Sequence, residues 1–80
     1  MGEIHKMGAT ELQRTLYDVS LGIQSAQGYV GGIQLNSALA RYGFDDDCKT
    51  CWYRIGMAEG ALIERGNLER DECFGYLYAR

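Results

Sequence analysis

Eighty residues leave room for one domain and no second core. A chain this short buries only about 60% of the surface its unfolded form exposes, so its own core needs help from very regular helix packing, a metal or a partner chain. Apolar residues at 46% and charged ones at 24% exclude a disordered chain, and the eight Lys and Arg are too scattered to form the basic stripe with which nucleic-acid binders neutralise phosphates, so no direct nucleic-acid binding is expected.

That charge is uneven. Residues 1–43 carry three acids and three bases, and residues 44–80 carry eight acids and five bases, with Asp45, Asp46 and Asp47 in a row. The amino terminus lacks a basic start followed by an apolar run, and the cysteine count of three is odd, so the expected location is the cytoplasm.

In chain order, residues 1–8 show no periodicity and read as a mobile lead-in to a single helical domain over residues 9–80. From Ala9 or Thr10, with Thr10 and Gln13 as a capping box, a stripe of Leu12, Leu16, Val19, Ile23, Ala26, Val30 and Ile33 recurs at steps of three and four. That spacing predicts a first helix. Glycine at 28, 31 and 32 costs about 1 kcal/mol per residue in a helix interior, so a break near Gly31 and Gly32 is expected. Gln34 to Tyr42 then forms a second short helix that ends at Gly43 in a left-handed cap.

Asp45 is the expected N-cap of a third helix, whose buried side includes Cys48, Cys51, Trp52, Ile55, Ala58, Leu62 and Ile63 and which stops at Gly66. Asn67 should cap a last helix from Leu68 toward Arg80 that buries Cys73, Phe74, Leu77 and Tyr78. No alternation of four or more residues predicts a strand. The fold expected is all-α, a small bundle of three or four helices completed by self-association.

Val19 to Ala40 runs 22 residues without a charge, yet its serines, glutamines and asparagine are too polar for a membrane span. A helix surrounded by protein fits better. Gly22 and Ala26, and again Gly28 and Gly32, are spaced four apart and would let a neighbouring backbone come close. With Val30 they form the expected self-association face of a homo-oligomer.

No catalytic constellation is present. His5 is the sole imidazole, no nucleophile turn or phosphate loop occurs, and Glu59, Glu64, Glu69 and Glu72 read as solvated helix faces with local ion pairs. Cys48 and Cys51 form a C-x-x-C at the start of a predicted helix, with Cys73 in the next. Together with His5 they could supply four zinc ligands, and the pair could do redox chemistry, although three adjacent aspartates oppose a lowered thiol pKa and no preceding strand is apparent. The simpler expectation is that all three are small buried hydrophobes, with no metal and no cofactor.

Six tyrosines and one tryptophan in so short a chain are a stronger lead, because Tyr, Trp and Arg dominate the energetic centres of interfaces. Tyr42, Tyr53, Arg54, Tyr76 and Tyr78, with Asp45, Asp46 and Asp47 to steer a basic partner, are the candidate partner-binding residues. The sequence therefore suggests a non-enzymatic helical interaction module, a regulator or inhibitor of a larger protein, encoded by a virus or mobile element on the prior from its size. The alternatives are a small-ligand or nucleotide-sequestering oligomer and a structural zinc module.

Overall fold

The computed structural model describes residues 3–80; Met1 and Gly2 lie outside that range. Three helices, α1 (Ala9–Gln27), α2 (Gly32–Leu39) and α3 (Lys49–Glu64), are followed by a two-stranded hairpin, β1 (Leu68–Arg70) and β2 (Leu77–Ala79), with single 3-10 turns at Ile4–Lys6 and Ala40–Tyr42. The chain is thus mostly helical but not all-α.

The end of the chain is where the expectation fails. Instead of a fourth helix, Leu68 pairs with Ala79, Glu69 with Tyr78 and Arg70 with Leu77 in an antiparallel ladder. Gly66, at φ 82°, turns the chain out of α3, and Asp71 folds the connecting loop by accepting from the Cys73 amide at 3.1 Å. Gly75, at φ 73°, completes that loop in a conformation a helix interior could not hold. Leu77 and Ala79 then point inward on alternate positions while Cys73 and Phe74 are left outside.

α1 begins after Gly8 with no side-chain cap, so Thr10 lies in the first turn and the Thr10–Gln13 capping box does not form. Leu12 and Leu16 are buried as the stripe predicts, but the next fully buried position is Ser20; Val19 and Ile23 pack at its margin, and Ala26 is exposed. Gly28, at φ 89°, ends the helix in the left-handed region, so the break falls three residues before Gly31. Gly43, at φ 85°, is the left-handed residue expected after α2 and its trailing turn.

The lead-in is folded rather than free. Ile4 and Met7 lie in the core at 0% and 4% exposure. The α3 side chain of Arg54 donates to the carbonyls of Ile4, at 2.9 Å, and Met7, satisfying backbone acceptors that burial removes from water.

The hairpin also explains part of the uncharged stretch. Val30, just beyond α1, exchanges two backbone hydrogen bonds with Leu77, at 3.0 and 2.9 Å. The Gln24 side chain does the same further along that edge of β2, which faces away from β1, donating to Ala79 O at 3.0 Å and accepting from Ala79 N at 2.6 Å. A charged side chain at the buried Val30 would lose its hydration, and one at position 24 could donate or accept but not do both. The segment is surrounded by protein in part because its own chain covers it.

Candidate interaction surface

The N-terminal end of α3 organises the surface. Asp45 Oδ1 accepts from the Asp47 amide at 3.1 Å and Asp45 O accepts from the Cys48 amide at 2.9 Å, so the three aspartates form a turn that precedes the helix. The N-cap is consequently Cys48, whose sulfur accepts from the Cys51 amide at 3.2 Å, and not Asp45. The aspartate carboxylates are left exposed as a compact acidic patch.

Trp52 is not core. Its side is 46% exposed, with Nε1 donating to Asp46 O at 2.8 Å and its ring edge-on to Phe44 at 5.0 Å. The hydrogen bond and the ring contact hold a large apolar surface in place outside the core, tethered to the acidic turn.

From Trp52 a shallow groove of about 180 Å³ runs between α2, α3 and the hairpin, past Gly32, Asn36, Gly56, Arg70 and Gly75. Asn36 is shared with a second depression of about 330 Å³ that Phe44, Asp45 and Asp46 also line. Ile33 and Phe74, adjacent in sequence to Gly32 and Gly75, are 80% and 74% exposed. Phe74 stacks on Tyr76 at 5.7 Å, and Tyr76 in turn lies 4.5 Å from Tyr29, which fixes an aromatic row at the hairpin end. An ion pair between Glu59 and Arg70 joins α3 to β1 along the same groove. The surface therefore runs from an acidic turn, over exposed rings, to an aromatic hairpin loop.

The residues singled out by sequence distribute unequally over it. Asp45, Asp46 and Asp47 are exposed at one end, and Tyr76 is half-buried at the other. Tyr53 is 69% exposed on the outer side of α3. Tyr42 packs against the core and Tyr78 is half-buried on β2. Arg54 does not belong to a docking surface, because its guanidinium is committed to the Ile4 and Met7 carbonyls. Trp52, Phe74 and Ile33 were missed as surface residues: apolar type at helical spacing reads as core, and only the hairpin turns Phe74 outward.

Of the self-association candidates, Gly22, Ala26, Gly28 and Gly32 are exposed, whereas Val30 is 1% exposed and occupied by Leu77. Val30 is thereby removed from that face. Leu21, at 40% exposure, adds to it.

The cysteines are free thiols in three settings: Cys48 half-buried, Cys51 buried and Cys73 exposed on the hairpin loop. Among the described residues no group of three or more His, Cys, Asp or Glu side chains is placed to hold a metal ion. His5 instead contacts Glu3 at 3.3 Å on the surface. The zinc alternative thus lacks a converging ligand set. Burial pushes the Cys51 thiol up from its ordinary value, assisted by its hydrogen bond to the Cys48 sulfur.

A separate groove of about 280 Å³ lies between the lead-in, α1 and α3, lined by Met7, Leu12, Gln13, Met57 and Ala61 among others. Its one charged side chain, Arg54, is the one already spent on backbone carbonyls, so the groove offers little to orient a polar ligand. Among the described residues no helix is long and apolar enough to cross a membrane. No protein-family model, curated protein or solved structure matches this chain.

Proposed function

We propose that this chain is a non-enzymatic protein-interaction module, a regulator or inhibitor that docks on a larger protein through the surface between α2, α3 and the hairpin. The observation that carries this reading is the exposure of Trp52 beside the Asp45–Asp47 turn, and of Ile33 and Phe74 next to glycines that line the groove leading away from it. Held rings surrounded by polar atoms are the usual energetic centres of an interface, and an acidic rim selects a partner whose facing patch is basic. A partner recovered by the wild-type chain should be lost with Trp52→Ala and with Phe74→Ala, weakened by salt, and retained with Met57→Ala, which alters a different face. Equal recovery by all three variants would sink the reading.

The uncharged C-terminal half of α1, from Val19 to Gln27, supports self-association as a second element of the proposal. Leu21, Gly22 and Ala26 are exposed there, and a Cβ added at Gly22 would meet nothing within 4 Å. Gly22→Arg therefore leaves the protomer intact while placing a charge in the contact. Light scattering should give an oligomer for the wild type and a monomer for the variant; a monomeric wild type would remove this element and leave the docking surface standing.

A further inference from the structure

The two sulfurs at the start of α3 are held close together in unequal settings. Cys48 is half-buried at the N-cap, with its sulfur 3.2 Å from the Cys51 amide. Cys51, one turn on, is 1% exposed, lies 3.9 Å from the Gly43 carbonyl oxygen and shares a hydrogen bond with the Cys48 sulfur. N-caps favour the oxygens of Ser, Thr, Asp and Asn, and three aspartates immediately precede this one. The chain nevertheless places sulfur, a weak acceptor, at the cap and aims it at the second cysteine. An N-cap side chain folds back over the amide of the third helical residue, which is Cys51, so the Cys48 sulfur already sits against the residue that carries the second thiol. Cys73 is exposed on the hairpin loop and takes no part in this arrangement.

We propose that Cys48 and Cys51 form a thiol–disulfide exchange site for low-molecular-weight disulfides, selecting cationic over anionic ones through the Asp45–Asp47 turn. Cys48, the accessible sulfur, loses its proton to solvent and attacks one sulfur of R–S–S–R. The S–S bond breaks, one R–S⁻ leaves and takes up a proton, and Cys48 carries the mixed disulfide. The Cys51 thiol then loses its proton and attacks the Cys48 sulfur, displacing the second R–SH. Two protein thiols are oxidised to one disulfide and the small disulfide is reduced to two thiols, so the electrons balance. The order follows from access and from the raised pKa of the buried thiol, which keeps Cys51 from being the first nucleophile. The three exposed carboxylates attract a cationic disulfide and repel an anionic one. This inference does not rest on the docking reading.

The test treats the reduced, folded chain with cystamine, which is cationic, or with oxidised glutathione, which is anionic, and locates the products by alkylation and mass spectrometry. Expected are a Cys48–Cys51 disulfide with Cys73 still free in the wild type, and a mixed disulfide arrested on Cys48 in Cys51→Ser. Cys73→Ser should behave as wild type. Cystamine should react about tenfold or more faster than glutathione disulfide at low ionic strength, with the gap closing as salt is added. Cys48→Ser supplies a better cap, so it should lose the reaction while keeping or raising the melting temperature, which separates lost chemistry from lost fold. Adducts confined to Cys73, or a native Cys51→Ser chain that never takes an adduct on Cys48, would overturn the site. Equal rates for the two disulfides would overturn the charge selection.

Discussion

The Ser20 hydroxyl is fully buried and has no hydrogen-bond partner among the described residues. Leaving such a group unsatisfied costs about 1–3 kcal/mol. Ser20→Ala removes the hydroxyl without changing the helix, and should raise the midpoint of urea unfolding with no change in its slope. Arg54 is the opposite case. Its two bonds hold the lead-in against α3, and Arg54→Ala would leave the Ile4 and Met7 carbonyls without their donor. A loss of about 1–3 kcal/mol is expected in the same measurement, together with faster amide exchange over residues 4–7. Neither role is visible in sequence: a serine inside a helical stripe reads as a boundary residue, and an arginine beside a tyrosine reads as an interface pair.

At the level of elements, the helices were legible because their signals are local. Steps of three and four located α1, and glycine located its end to within three residues. The hairpin was not legible, because its strands are three residues long and too short to show alternation. Leu77 and Ala79 are buried where β2 pairs with Val30 and Gln24, partners that no window on the last thirteen residues contains. The candidate surface shared that fate in part: the aspartates and Tyr76 stand out by residue type, whereas Trp52 and Phe74 read as core on helical spacing. The glycines give a direct check on element conformation. Gly60 lies inside α3 with open space around an added Cβ, so Gly60→Ala should stabilise by about 0.5–1 kcal/mol. Gly66 also has open space but sits at φ 82°, and Gly66→Ala should destabilise. Thermal melts of the two variants should move in opposite directions.

The whole molecule measures 30 × 23 × 21 Å, and at that size a single buried ionisable group is felt globally. Cys51 stays protonated in the folded state to higher pH than in the unfolded chain, where its ordinary value is 9.0. Folding therefore favours the protonated thiol; that contribution is complete below about pH 9 and is lost as pH rises through the folded value. Above pH 9 the stability of the reduced wild type should fall more steeply than that of Cys51→Ala, read as the change in urea midpoint with pH. Parallel curves would mean that burial does not hold the proton on.

The pairing of β2 with Gln24 and Val30 also bears on how the chain acquires its structure during synthesis. The Gln24–Ala79 bonds span 55 positions, so α1 emerges long before the strand that covers its polar edge. Closing so long a loop is slow compared with winding a helix, and the docking of this strand should set the rate of the final folding step. A chain stopped short of residue 77 would leave Val30 without its Leu77 partner and expose apolar surface that the hairpin covers, so such a species should aggregate more readily than one that includes β2.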